Sequence, residues 1–355
     1  MKKIFNQFTY HTISFLFLAI LIGSILFILS VPAGWLIGGL FAGILYHMLF
    51  KKVKIDKLYL KIAQTFIGIN IGLMMNITLF KSLTSLILPI TVALVIIFIS
   101  GILLSKLLYK VTNLDYKTAF FCSIPGGASE VISLSGEYEA DQRVVATFHT
   151  SRILFIVLFV PFLLSFYNGD IDVPFTLDSF YIPLTFFPII GILVGATFFL
   201  IKKYPFPASA LIFSILLSFI INYPLHLEPI PLLAGVGQAW IGGIIGLQFD
   251  RSTLEQLKKI GGVAIIFLVL LLAIGIGIGI IFYFLTPLDF STSLLSIIPA
   301  GAVEMVSIAL FLGLDSTLVA GVQILRLLST YFLLPFFTKW ILHQTKKDIR
   351  NADQR

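Results

Sequence analysis

Charge is what this 355-residue chain has least of: 12% of its residues are Asp, Glu, Lys or Arg, while 58% are hydrophobic. A soluble domain carries roughly twice that charged fraction to cover its surface. No globular packing hides so much apolar surface from water, so lipid is the solvent for most of the chain. Cys122 is the single cysteine, which excludes an intrachain disulfide and a thiolate metal cluster. The histidines, His11, His47, His149, His226 and His343, are scattered, and no metal or cofactor site is expected from them. A P-loop is missing as well, so direct ATP coupling would need another chain. No segment outside the apolar runs is long enough to hold a basic, water-exposed face for nucleic acid.

What is present is a series of apolar runs near residues 13–30, 33–50, 60–79, 83–109, 143–167, 181–201, 207–223, 230–249, 260–285 and 316–342. Each approaches the roughly 20 residues that a hydrocarbon core requires. The first follows Lys2 and Lys3 as a signal peptide would, but it lacks a small-x-small cleavage site and runs into Val31-Pro32-Ala33-Gly34; it is expected to be a spanning helix. Two further apolar stretches, 116–138 and 290–313, are broken at their centres by Ile124-Pro125-Gly126-Gly127-Ala128-Ser129-Glu130 and Ile298-Pro299-Ala300-Gly301-Ala302-Val303-Glu304.

Pro125 and Pro299 stand 174 residues apart, and the same offset aligns Gln64, Gly68 and Gly72 with Gln238, Gly242 and Gly246. It also aligns Asp115 with Asp289, Asp141 with Asp315, Arg152 with Arg326, and Pro161-Phe162 with Pro335-Phe336. A gapless offset over that length marks an internal duplication. The expected division is a first membrane repeat at 1–167, an external linker at 168–180, a second repeat at 181–345 and a cytoplasmic tail at 346–355.

Charges at the run ends set the expected orientation. Lys51, Lys52, Lys54 and Lys57, then Lys106, Lys110 and Lys117, Lys202 and Lys203, Arg251, Lys258 and Lys259, and finally Lys346, Lys347 and Arg350 should all face the cytoplasm. The connections 168–178, 222–228 and 286–289 hold no Lys or Arg and should face outside. All clusters fall inside if the two broken stretches dip in and return, with both termini cytoplasmic. Each half then crosses an odd number of times, and the second repeat is inverted relative to the first. The expected fold is therefore an all-α polytopic membrane protein. It has two inverted repeats of about five transmembrane helices, each with one re-entrant or broken helix interrupted by Pro and Gly.

Transporters with inverted repeats put their solute site where broken segments meet. Proline removes a backbone donor and glycine permits close approach, so the turns at Pro125, Gly126 and Gly127 and at Pro299, Ala300 and Gly301 leave backbone groups free to bind a polar solute or ion. A packed helix kink is the plainer alternative. Glu130 and Glu304 follow five residues after those prolines, and a carboxylate at that depth must be paired, protonated or hydrated. Arg152 and Arg326 are the obvious partners. Glu130 with Arg152 and Glu304 with Arg326 would make a structural lock; an arginine turned to the cavity instead would call for an anionic solute. Gln64 and Gln238 precede the small-residue faces Gly68-x-x-x-Gly72 and Gly242-x-x-x-Gly246, which read as close helix packing. Asp141 and Asp315 read as N-caps, and Ser123, Ser129, His149 and Gln323 as added hydrogen bonders beside the turns.

The two seven-residue motifs, with Pro32-Ala33-Gly34-Trp35, its counterpart Pro207-Ala208-Ser209, and the Gln64 and Gln238 pair, resemble the AbrB-duplication family of bacterial membrane proteins over nearly the whole chain. That family carries two labels, an AbrB-type transcriptional regulator and an ammonia monooxygenase. Neither fits the residues: there is no metal cluster for oxygen chemistry and no soluble DNA-binding surface. Its hydropathy is similar to that of cation:proton antiporters and anion transporters, and the resemblance implies transport with the solute unassigned. The expected function is a secondary transporter or exporter of a small, perhaps anionic, solute coupled to H⁺ or Na⁺, in a bacterial inner membrane. The partners expected are that solute and the bilayer, with no nucleic acid and with homo-oligomerisation open. The alternatives are a membrane-embedded regulatory protein acting indirectly on gene expression and, behind it, an intramembrane enzyme.

Overall fold

The computed structural model describes residues 2–50, 55–168, 186–206, 208–248 and 262–352; the side chains of 2–10, 78, 80, 128–130, 133, 335–337 and 339–352 lie outside the description. The external linker expected at 168–180, the basic residues Lys51, Lys52, Lys54, Arg251, Lys258 and Lys259, and the side chains of the tail fall outside it too. A chain this apolar must close its backbone hydrogen bonds within each segment. It does so entirely with helices: among the described residues there are fifteen, and no strand.

The first half contributes α1 (Lys2–Ile28), α2 (Gly34–Leu49), α3 (Lys57–Met74), α4 (Thr78–Ser85), α5 (Ile87–Val111), α6 (Tyr116–Ser123), α7 (Ala128–Glu137) and α8 (Gln142–Asn168). The second contributes α9 (Phe186–Lys203), α10 (Ser209–Leu225), α11 (Pro231–Leu247), α12 (Gly262–Leu285), α13 (Phe290–Ile297), α14 (Ala302–Phe311) and α15 (Ser316–Ala352). From the start of α6 to the start of α8, every boundary recurs 174 residues later. Local capping explains the agreement. Asp115 accepts from the Thr118 N–H and Asp289 from the Thr292 N–H, both at 2.9 Å; Asp141 accepts from Arg143 N–H at 2.9 Å and Asp315 from Leu318 N–H at 3.0 Å. The carboxylates satisfy donors that a helix start leaves free, so Asp141 and Asp315 are the caps the sequence indicates.

Six of these helices are long and apolar enough to cross a membrane: α1 from His11, α5, α8, α9, α12 and α15 to Leu334. The runs at 33–50, 207–223 and 230–249 form shorter apolar helices, α2, α10 and α11. The run at 83–109 is divided, because the chain bends at Leu86 between α4 and α5.

The repeats interlock. The principal partner of α2 is α11 from the other half, and that of α3 is α10, the second-half counterpart of α2. Glycines make both crossings close. A Cβ on Gly39 would collide with the Ala239 carbonyl, and one on Gly242 with the Leu36 carbonyl; Gly43 and Gly246 meet Gly243 and Leu40 in the same way. Gly68 faces Ser214, and Gly72 faces the Ile215 carbonyl. Small residues at i and i+4 let membrane helices approach backbone to backbone. With α1 and α9 packed alongside, this set forms a six-helix scaffold, while α5 to α8 and α12 to α15 form a second unit. The largest buried cluster joins the two, with Leu36, Ile67 and Ile71 on the scaffold side and Val160, Leu294 and Val306 on the other.

Candidate functional site

The first broken segment folds back on itself. The start of α6 lies against the end of α7: Lys117 Nζ is 3.3 Å from Glu139 Oε2, the Asp141 N–H donates to Thr118 Oγ1 at 2.9 Å, and the Phe121 and Tyr138 rings are 5.9 Å apart. A helix of eight residues rises about 12 Å, so the hairpin carries Pro125-Gly126-Gly127 well away from its closed end. The turn is held by α5, where a Cβ on Gly101 would sit 3.1 Å from Pro125 Cδ. Its counterpart repeats the arrangement: Pro299 Cδ would lie 3.2 Å from a Cβ on Gly275 of α12. Gly101 and Gly275 also stand 174 residues apart. The duplication offset carries that signal in the sequence.

Both prolines line one cleft of about 280 Å³, with Ser100 on α5, Ser123 at the end of α6, and Arg152. Apolar walls come from Ile97 and Leu104 on α5 and from Leu271 and Ile274 on α12. The cleft is shared by the two halves, and the first turn also reaches across, since Gly126 lies beside Thr330 and Leu334 of α15.

Arg152 is 4% exposed and Arg326 is 8% exposed. His149 lies one turn before Arg152 on α8. Its Nε2 sits 2.9 Å from the Phe121 carbonyl oxygen and its Nδ1 3.1 Å from Arg152 Nη2. A carbonyl and a guanidinium on opposite nitrogens fix the ring as the Nε2–H tautomer, donating to one and accepting from the other. On α15 a glutamine does the same work: Gln323 Nε2 donates to the Leu295 carbonyl at 2.6 Å, and Gln323 Oε1 accepts from Arg326 Nη2 at 2.5 Å. Arg326 Nη2 donates further to the Ala300 carbonyl at 2.8 Å, an oxygen freed by the second Pro-Gly turn.

These contacts correct the expected lock in the second half. Arg326 is held by a backbone carbonyl and Gln323, and the ion pair found among the described residues is Lys117–Glu139 at the hairpin base. Glu304 folds back over Gly301, where its carboxylate occupies the space a Cβ would need. It stands in the first turn of α14, where a carboxylate is favoured by the free N–H groups and the helix dipole. The side chains of Ser129 and Glu130 lie outside the described residues, so the first half of the lock is not described. Gln64 and Gln238 lie on α3 and α11 in the scaffold and are not among the cleft-lining residues. The site that comes together is Pro125, Pro299, Ser123 and Arg152, with Arg326 and Ala300 beside it.

The sequence profile of the family described as "Transition state regulatory protein AbrB" matches residues 35–342. The chain belongs to the AbrB family. Among AbrB relatives, the Bacillus subtilis (strain 168) protein named "Uncharacterized protein YhjN" is 25% identical over 358 residues, covering 93% of each chain. The Escherichia coli (strain K12) protein named "Putative regulator AbrB" is 24% identical over 321 residues, covering 87% of this chain and 90% of that one. No solved structure matches the chain. AbrB membership thus rests on sequence reaching from α2 to α15, and the matched span contains both Pro-Gly turns and both arginines.

Proposed function

We propose that the chain is a secondary transporter that moves a small solute through the cleft between its two Pro-Gly turns by alternating access. One observation carries the reading: turns from separate repeats line the same cleft beside a buried arginine. Irregular backbone at membrane depth is tolerated where it lines a cavity, and broken helices meeting between repeats are a transporter arrangement. The α2–α11 and α3–α10 crossings, each linking one repeat to the other, support a two-fold relation between the halves, and the fold-back of α6 and α7 supports an odd number of crossings per half. In this reading the scaffold and the second unit shift against each other along their shared apolar interface. Glu304 and Glu130 are the coupling carboxylates for H⁺ or Na⁺, no enzymatic step is involved, and the relatives' origins favour a bacterial inner membrane.

The test is counterflow in proteoliposomes, screening labelled solutes under imposed H⁺ and Na⁺ gradients. Native protein should accumulate solute against its gradient, and Glu304→Gln should lose the gradient-driven component while keeping exchange. If well-folded protein moves nothing under either gradient, the transporter reading fails. The family's regulatory name then gains ground, and a stoichiometric partner protein in the purified material would decide for it. Orientation is tested separately. On a Cys122→Ala background, Asp172→Cys should be labelled from outside, and Asp348→Cys only after the membrane is permeabilised. The reverse at either position overturns the inverted arrangement.

A further inference from the structure

The chemistry of the two arginines goes further than the cleft's shape. Each guanidinium offers five N–H donors and no acceptor. The protein engages Arg152 at Nη2 alone and Arg326 at Nη2 alone, and the Nε atom of both is buried without a hydrogen-bond partner. A buried donor left unmade costs about 1–3 kcal/mol, more when it is charged. The same orphan donor in both halves is therefore a feature of the repeated design. The partners that are present, His149, Gln323 and the Ala300 carbonyl, are neutral, so they orient the guanidiniums without cancelling their charge. The two charges are also close enough to repel one another. Glu304, the described carboxylate within electrostatic reach of Arg326, is turned back over Gly301 and makes no ion pair with it.

We propose that Arg152 and Arg326 together form a binding site for a small organic monocarboxylate, taken into the cleft between Pro125 and Pro299. A carboxylate presents two oxygens that match the guanidinium fork, and one negative charge relieves the repulsion between both arginines. The remaining walls set the rest of the ligand. Ile97, Leu104, Leu271 and Ile274 offer apolar surface and no donors, so they suit a short alkyl body and leave a divalent, fully hydrated anion without partners for its outer oxygens. The cleft, about 280 Å³, lies at the lower end of the roughly 300–1,000 Å³ usual for small-molecule pockets, which limits the body to a few carbon atoms. Ser100 and Ser123 supply hydroxyls at the same cleft.

This assignment rests on the proposed reading of the cleft as the solute site, though binding does not require transport. The full chain, purified in detergent, is titrated with sodium propionate, sodium butyrate, sodium chloride, sodium sulfate, sodium phosphate and propionamide, with binding followed by calorimetry and thermal unfolding. Propionate and butyrate should bind and raise the unfolding temperature, and the neutral amide should do neither. Arg152→Gln and Arg326→Gln should each weaken carboxylate binding at least tenfold. Should either variant fail to fold, phenylglyoxal modification of the native protein replaces it, with propionate expected to protect the Arg152 and Arg326 peptides and leave that of Arg143 unprotected. The inference is overturned if propionate and butyrate neither bind nor protect, if propionamide matches them, if sulfate or phosphate binds more tightly, or if folded arginine variants bind as the native chain does. Carboxylate binding without flux keeps this assignment and removes the transporter reading; flux of a neutral solute with no carboxylate binding does the reverse.

Discussion

Gly242→Leu will yield no folded, monodisperse protein, whereas Gly191→Leu will purify as the native chain does. At Gly242 even a single added carbon meets the Leu36 carbonyl, a backbone atom inside α2 that has no rotamer to escape into. The only relief is to separate α2 from α11, and that also breaks the matched contacts of Gly39, Gly43 and Gly246 farther along the same crossing. Overpacking one site ordinarily costs about 1–3 kcal/mol. Forcing apart a whole backbone-to-backbone crossing adds the loss of its dispersion contacts, which in lipid are most of what holds helices together. Gly191 on α9 has no heavy atom within 4 Å of the position a Cβ would take, so a leucine there projects into free space. The measurement is size-exclusion profile and unfolding temperature in one detergent. Equal behaviour of the two variants would show that the α2–α11 crossing does not carry the scaffold.

His149→Leu will lose at least tenfold in solute affinity, and His149→Gln will recover most of it. His149 is a positioning residue, since it bridges the Phe121 carbonyl and Arg152 while Arg152 lines the cleft. Leucine fills the space but leaves a buried carbonyl and a buried guanidinium without their partner. Each such loss costs about 1–3 kcal/mol, which makes a tenfold effect, equivalent to about 1.4 kcal/mol, a lower bound. Glutamine has the donor and the acceptor needed, and Gln323 already makes the same two bonds to Leu295 and Arg326 in the second half. Replacing Gln323 by leucine should reproduce the loss. The check is solute affinity together with the pH profile: a merely structural histidine would show equal losses in both variants. The glutamine variant should also be insensitive to acid down to pH values at which a histidine in its place would gain a proton and lose its acceptor nitrogen.

Much of this arrangement is legible without coordinates because its signals are local or self-repeating. Asp115, Asp141, Asp289 and Asp315 announce helix starts through a side chain acting on the next turn, and the 174-residue offset places both Pro-Gly turns and both arginines in register. His149 and Gln323 can be picked out as hydrogen bonders beside those turns. What stays hidden depends on atoms that no residue letter names. Arg326 is held by the Ala300 carbonyl, so a search for the nearest carboxylate leads to Glu304, whose own helix start claims it. Gln64 and Gln238 look like site residues by their depth, but the exchange of partners between repeats carries α3 and α11 into the scaffold. That exchange is set by contacts nearly two hundred residues apart, beyond the reach of any pattern in one segment.

The exchange has a consequence for synthesis. When α2 leaves the ribosome its partner α11 does not yet exist, and about 200 residues separate the ends of the two helices. At roughly 5–20 residues per second, the glycine face of α2 waits on the order of 10–40 s in the bilayer with nothing to close against. A nascent chain halted after α8 carries two such open faces, on α2 and α3, and is a natural target for membrane quality control or for pairing with a second unfinished copy.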